Sequence, residues 1–300
     1  QCRFCNFCRT SKSEEAYVTT AAEYDRKIGE LITLGGDQIL LQGGMNPALD
    51  LAYYVSLFSR LKKRWPAIKL HALGPPEVVY LARKEKMSYR EVLVALHDAG
   101  LDSLPGAGAE ILVDRVRKIV SPAKATAEEW LGVMREAHML NLPASATMMF
   151  GHAETVAERI EHLVRLRDLQ DEKPDGHDGF ITFIPWPFMD RGTPLAEKYG
   201  IRSNVTAAEY LKIIAISRLV LDNIPNIQSS ILTVGAETAM ISLHAGANDL
   251  GSVMVEENVV SAAGDPFRTS PEEMKQIIME AGFTPVRRDQ RYRPYVPAGN

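Results

Sequence analysis

Cys2, Cys5 and Cys8 are the only cysteines of the 300-residue chain, and they stand as C-x2-C-x2-C at its start. Thiols that close together can deliver their thiolates to one metal centre. A disulfide framework would instead spread its cysteines along the chain to close loops. Two other uses compete with a metal cluster. A structural zinc site takes four ligands, and with no further cysteine the fourth would be a distant histidine. A redox C-x-x-C pair calls for a thioredoxin-like setting at a helix N-terminus, and no proline stands between these cysteines. An iron–sulfur cluster with three cysteine ligands and one open iron suits the array best.

An open iron can chelate the amino and carboxylate groups of S-adenosylmethionine (SAM). One electron then cleaves a C–S bond of the sulfonium and releases a 5′-deoxyadenosyl radical. A glycine pair after a nearby strand would let backbone carbonyls approach the methionine amino group, and Gln42-Gly43-Gly44 is placed to do so. Taken alone, that pair is only a turn.

The composition bounds what else the chain can be. It is 46% apolar, with Lys+Arg 34 against Asp+Glu 38, which is enough apolar material for a continuous core and no basic excess for neutralising phosphates. No apolar run reaches the length of a membrane span, and the N-terminus has no signal- or transit-peptide pattern. The expectation is a cytoplasmic protein with a small-molecule substrate, no nucleic acid and no membrane insertion. Because Gln1 precedes the cluster directly, the expected reading is a chain truncated at its N-terminus.

The elements that must hold these residues can be read from capping boxes, in which Ser or Thr is followed three residues later by Glu ahead of an apolar-periodic segment. Thr20 with Glu23, Ser88 with Glu91, Thr126 with Glu129, Thr155 with Glu158, Thr206 with Glu209 and Ser270 with Glu273 each predict a helix start, and a further helix is expected over 51–64. Short apolar runs at 38–42, 68–73, 103–104, 145–150 and 180–184 have strand length. Alternating strands and helices predict an α/β fold, a (β/α) TIM-type barrel with its first strand missing from this sequence, forming a single domain over 1–300. The chemistry of such a barrel sits on the loops after its strands. Here those loops are Gly43-Gly44, Gly74-Pro75-Pro76-Glu77, Pro105-Gly106-Ala107-Gly108, Gly151-His152-Ala153-Glu154 and Pro185-Trp186-Pro187-Phe188. Asp171 to Asp178 reads as a loop insertion and 287–300 as an extended C-terminal tail.

With those residues in view, Cys2-Arg-Phe-Cys5-Asn-Phe-Cys8-Arg9 resembles the end of the radical SAM signature C-x3-C-x2-C in the menaquinone and deazaflavin branch, where it continues Phe-Cys-Ala-Phe-Tyr-Arg. In that frame Cys2 and Cys5 are cluster ligands, the first ligand lies four residues before Cys2, and Cys8 takes the tyrosine position. Leu41-Gln-Gly-Gly44, Leu70-His-Ala-Leu-Gly-Pro-Pro-Glu77, the stretch from Leu101 to Glu110, Ala146-Thr-Met-Met-Phe-Gly-His152, Phe183-Ile-Pro-Trp-Pro-Phe188 and Glu257-Asn-Val-Val-Ser-Ala-Ala-Gly264 are similar to the cyclic dehypoxanthinyl futalosine synthase family. Aminofutalosine synthases and the deazaflavin-forming synthase subunit share the cysteine frame. Ala107, where the family has glycine, and the long 171–178 loop depart from the pattern.

The resemblance implies a 4Fe-4S cluster, SAM, and an electron donor such as flavodoxin or ferredoxin. Its implied reaction belongs to menaquinone biosynthesis: the deoxyadenosyl radical takes hydrogen from the ribose C4′ of dehypoxanthine futalosine. The carbon radical adds to the benzoate ring, and loss of an electron and a proton restores aromaticity. A primary radical needs a dry cavity, and Met148, Phe183, Ile184 and Trp186 are expected to line it; plain barrel core is the equally weighted alternative. Phe4, Gln42, Gly43, Gly44, Glu110, Thr147 and Glu154 are expected at the cofactor, the last two because Thr147-x-Met149-x-Gly151-x-x-Glu154 resembles the G-x-I-x-G-x-x-E stretch that supports adenosine. Glu110 could equally be a carboxylate at a helix N-terminus. His71 and His152 are expected to touch substrate or take the final proton, against the commoner role of a buried histidine as a structural hydrogen-bonder. A zinc-binding barrel without catalysis is the reading of a different class.

Overall fold

Each expected capping box opens a helix. In the computed structural model, which describes residues 2–10, 13–255 and 269–295, Thr20, Ser88, Thr126, Thr155, Thr206 and Ser270 accept a hydrogen bond from the backbone N–H three residues on. Each satisfies a donor that the first helical turn leaves orphaned. The motif 257–264 lies outside the described residues.

The element order is α1 (Ala21–Thr33), β1 (Gln38–Leu41), α2 (Leu51–Arg64), β2 (Lys69–Ala72), α3 (Pro75–Glu85), α4 (Tyr89–Asp98), α5 (Asp114–Val120), α6 (Ala127–Met139), β3 (Ala144–Phe150), α7 (Val156–Asp171), β4 (Phe180–Pro187), α8 (Pro194–Tyr199), α9 (Ala207–Val220), β5 (Asn226–Ile227), α10 (Ile231–His244) and α11 (Pro271–Glu280). β1 and β2 pair in parallel, as do β3 with β4 and β4 with β5. Single parallel bridges join the two groups, His71 to Ser103 and Leu104 to Ala144, and a last one joins Gln228 to Asp249. Strand positions therefore follow one another in chain order around a parallel sheet with helices between them, which is the expected (β/α)-barrel architecture. Every loop that follows a strand opens on the same end.

Side-chain faces along β3 and β4 settle which residues point into the barrel. Phe150 stacks on Tyr210 of α9 at 6.3 Å, with Arg159 of α7 over its ring, and Phe183 meets His162 of α7. Alternation then turns Ala146, Met148 and Phe150 of β3 toward the helices, and in register with them Phe183, Pro185 and Pro187 of β4. The inner face carries Ser145, Thr147 and Met149 beside Thr182, Ile184 and Trp186. A register shift between Ala144 and Ser145 lets both Phe180 and Phe183 face outward. Phe180 stacks on Trp130 of α6 at 6.1 Å and takes the edge of His138 at 4.5 Å.

The structure differs from the sequence reading in three places. Pro75, Pro76 and Glu77, expected in a loop, form the first turn of α3, where proline's missing N–H costs no hydrogen bond. β5 is two residues long and has no pattern to read. The stretch 287–295, expected to extend, folds back on itself: Asp289 N–H donates to Arg293 O at 2.8 Å and Tyr295 N–H to Arg287 O at 2.8 Å. It lies across the N-terminal ends of the strands. Arg287 donates to Gly35 O at 2.5 Å, Gln290 to Ser103 Oγ at 2.6 Å and Tyr292 to Gln228 at 3.2 Å, while Arg291 pairs with Asp178 and Arg288 with Asp249. The turn thereby ties five separate segments of the barrel floor together.

Removing one partner of the half-buried Arg288–Asp249 pair leaves a charge in a poorly solvated place. Arg288→Ala is expected to lower unfolding stability by about 3 kcal/mol, read by urea titration, and Arg288→Ala/Asp249→Ala to recover part of that loss.

Candidate active site at the C-terminal mouth of the barrel

The N-terminal segment reaches the mouth because its backbone is pinned there. Arg3 N–H donates to Val120 O at 2.9 Å, Arg3 O accepts from Leu195 N–H at 2.7 Å, and the Arg3 guanidinium donates to Ile119 O at 2.9 Å while lying 4.5 Å over the Tyr199 ring. Cys2 and Cys5 are half-buried as a result, and Cys8 is exposed. Cys2 and Cys8 share a hydrogen bond: it pushes the Cys2 thiol up, aided by burial, and brings Cys8 down to about 5. Burial raises the Cys5 thiol, against the Phe7 and Cys8 amides that donate to its sulfur. Among the described residues no group of three or more His, Cys, Asp or Glu side chains is arranged to hold a metal ion, and Cys2, Cys5 and Cys8 stand as free thiols.

A half-buried ammonium stands beside these sulfurs. Lys124 Nζ lies 3.0 Å from Glu110 Oε1, hydrogen-bonds Cys2, and sits 5.1 Å over the Phe4 ring. Burial disfavours its charge, but Glu110 and Cys2 outweigh that and raise it. Arg117, buried on α5, approaches Glu110 to 3.9 Å and binds the carbonyls of Ala109 at 2.6 Å and Ala125 at 2.9 Å. Glu110 itself takes a left-handed backbone, with φ +42°. A non-glycine residue holds that conformation only where its surroundings fix it.

Two further carboxylates shape the neighbouring loops. Glu77 is buried, and its oxygens accept from Gly43 N–H at 3.3 Å, Gly44 N–H at 3.1 Å and Gly74 N–H at 2.7 Å. Burial raises its carboxyl against the pull of those amides and of Lys124. Glu154 accepts from Gly151 N–H at 2.6 Å and His152 N–H at 2.9 Å and pairs with Arg159 at 2.7 Å. Burial opposes its charge, yet His152 and the amides prevail and hold the carboxyl below the usual range.

The expected site residues divide by position. Cys2, Cys5, Phe4, Gln42, Gly43, Gly44 and Glu110 lie at the mouth, and Gln42, Gly43 and Gly44 are exposed there. Thr147, Ile184 and Trp186 are on the inner face, with Thr147 Oγ1 donating to Gly106 O at 2.6 Å. Met148 and Phe183, expected to line the substrate cavity, are fully buried on the opposite face against the helices, because strand alternation turns them outward. His152, expected as a base, has both ring nitrogens engaged within its own loop. Nε2 meets Met149 O at 2.9 Å and Nδ1 meets Ala153 N–H at 2.7 Å, so the ring braces the turn. His71 points into the lumen, its Nδ1 2.6 Å from Ser103 Oγ, and burial lowers it to about 4. Sequence reasoning missed Lys124 and the contact of Glu77 with Gly43-Gly44; the capping position of Glu77 after Gly74 was the only signal for the latter.

The profile of the radical SAM superfamily matches residues 1–166, and that of the CofH/MqnC C-terminal region matches residues 177–298. A protein named cyclic dehypoxanthine futalosine synthase from Halalkalibacterium halodurans is 44% identical over 97% of this chain and 76% of its own length. One of the same name from Streptomyces coelicolor is 42% identical over 98% of this chain and 72% of its own. The aminodeoxyfutalosine synthase of Thermus thermophilus is 39% identical over 97% and 78%. Among solved structures, methylornithine synthase (PylB) superposes with a TM-score of 0.68 at 19% identity, covering 96% of this chain and 79% of that one, and the hydrogenase maturase HydG with 0.70 at 15%, covering 94% and 61%. At those identities the likeness is one of fold.

Two outcomes test the mouth. Lys124→Met leaves the buried Glu110 without its closest cation and is expected to cost about 3 kcal/mol, with Lys124→Met/Glu110→Gln less damaging than the sum of its parts in a denaturant-based double-mutant cycle. Glu154 has a depressed folded pKa, so its stabilising contribution is complete above its unfolded value near 4.5 and disappears as pH falls through the folded one. The gap in melting temperature between wild type and Glu154→Gln should therefore be wide at pH 7 and close on acidification below pH 4.5.

Proposed function

The chain belongs to the radical SAM superfamily, in its CofH/MqnC branch, and from that premise we propose that it closes the ring of dehypoxanthine futalosine in the route to menaquinone. The observation that carries this reading is the likeness, over nearly the whole chain, to synthases of that name. The residues at the mouth fit the two groups such an enzyme uses. Cys2 and Cys5 are soft donors, and the amides aimed at the Cys5 sulfur suit a thiolate held against a cluster. Gly43 and Gly44 meet open space where a Cβ would project, which leaves room for a ligand against the backbone.

When bound, a 4Fe-4S cluster and SAM supply a deoxyadenosyl radical that starts the cyclisation by taking hydrogen from the ribose. The chain's own residues hold and shield. Cys2 and Cys5 hold the cluster, and Phe4 lies beneath the Lys124 ammonium next to them. Glu154, His152 and Arg159 fix the turn after β3, and Thr147 on the inner face ties that strand to Gly106. Ile184 and Trp186 line the inner face and exclude water. The floor turn over 287–295 lies across the opposite end of the strands, away from the mouth. His71, kept neutral by burial, shares the Ser103 hydroxyl with Gln290 of the floor turn and so stands on the floor side of the lumen. An electron donor of the flavodoxin or ferredoxin type supplies the reducing electron. No helix among the described residues is long and apolar enough to cross a membrane.

Anaerobically reconstituted full-length protein, given reductant, SAM and dehypoxanthine futalosine, should form 5′-deoxyadenosine and the cyclic product, followed by liquid chromatography with mass detection. Turnover of the aminodeoxyfutalosine synthase substrate instead would move the assignment to that sister enzyme. Purified protein holding zinc without iron or sulfide would point to a non-catalytic barrel. Trp186→Ala is expected to raise the substrate KM about ten-fold, in keeping with the loss of an aromatic contact.

A further inference from the structure

We propose that Glu77 is the positioning residue that shapes the Gly43–Gly44 loop into an acceptor for the ammonium group of SAM, a role that rests on the radical SAM reading above. Glu77 stands in the first turn of α3, yet its carboxylate does more than cap its own helix. One oxygen accepts from Gly74 N–H at 2.7 Å, and the other reaches back to the loop after β1, accepting from Gly43 N–H at 3.3 Å and Gly44 N–H at 3.1 Å. In a trans peptide the N–H and the C=O point in opposite directions. Drawing the two amides inward to Glu77 therefore turns the carbonyls of Gln42 and Gly43 away from it. No hydrogen bond among the described residues ends on either of those oxygens.

The loop thus presents two unengaged acceptors, and both glycines adjoin open space. Gly44 holds φ +71°, a backbone that a side chain would strain. The loop also stands at the metal-binding end: Lys124, hydrogen-bonded to Cys2, is close enough to act electrostatically on Glu77. A pair of backbone oxygens facing open space at the end of the barrel that carries Cys2 and Cys5 is chemically matched to an ammonium that must be held near the cluster. A glutamine at residue 77 offers one acceptor oxygen in place of two, so it cannot hold Gly74 and the Gly43–Gly44 amides together, and the carbonyls lose their fixed direction.

The test uses full-length wild type, Glu77→Gln and Glu77→Asp. Amide hydrogen exchange reports on the loop without any cofactor, and equilibrium dialysis on anaerobically reconstituted protein, with iron and sulfide determined in parallel, reports SAM affinity. Gly43 and Gly44 amides should be protected in wild type and exchange about ten-fold faster in both variants. Iron content should hold, and the SAM Kd should rise about ten-fold, the scale of losing a hydrogen bond to a charged acceptor. Unprotected Gly43 and Gly44 amides in wild type overturn the proposal, even if neither variant folds. Variants that bind SAM like wild type overturn it as well and leave the enzyme assignment standing. A wild type that loads iron but binds no SAM brings down the superfamily-based function together with this inference.

Discussion

The mouth of the barrel is organised around one ammonium, that of Lys124, whose side chain is largely withdrawn from water. Taking Lys124 out of water carries a desolvation cost of several kcal/mol, which only close and well-placed partners offset. Those partners come from distant parts of the chain: Glu110 from the loop after Leu104, Cys2 from the N-terminal segment, and the Phe4 ring beneath. Each is held in place partly by the others. The left-handed backbone of Glu110 belongs to the same arrangement, with its carboxylate 3.0 Å from Lys124 and 3.9 Å from Arg117.

Around that centre, carboxylates do similar work in separate loops. Glu77 gathers amides of the loop after β1 and Glu154 those of the loop after β3, and each of these two loops contains a glycine at positive φ. A charged acceptor fixes the direction of peptide groups more firmly than a neutral one. The result is a rim of ordered backbone on a parallel sheet, which is what positioning a cofactor against its protein requires. The floor is built differently, by guanidinium–carboxylate pairs of the turn over 287–295. They lie at the end of the strands opposite the loops that follow them.

Local rules made much of this legible in the chain alone. The Ser or Thr and Glu pairs at helix starts act over three residues, and every one of them opens a helix where expected. The strand runs and the loops after them were readable because alternating elements imply a parallel sheet with its chemistry at one end. The cysteine spacing raised the expectation of soft metal ligation, and the motifs together carried the resemblance to a family.

Other features depend on contacts between residues far apart in sequence, which no local pattern encodes. Whether Met148 or Met149 faces the lumen turns on strand register, and the irregularity beside Ala144 reverses the parity that a simple alternation would give β4. His152 is adjacent in sequence to a promising motif, but folding places both its ring nitrogens against its own loop. Lys124 reads as one lysine among many until Glu110, Cys2 and Phe4 converge on it. Glu77 reads as a helix cap until α3 packs beside the loop after β1. The sequence by itself determined the chemistry available, the element order and the end of the barrel where that chemistry belongs. Only the tertiary structure decided which charged groups face one another there, because the energies of burial and pairing depend on distances that exist once the chain has folded.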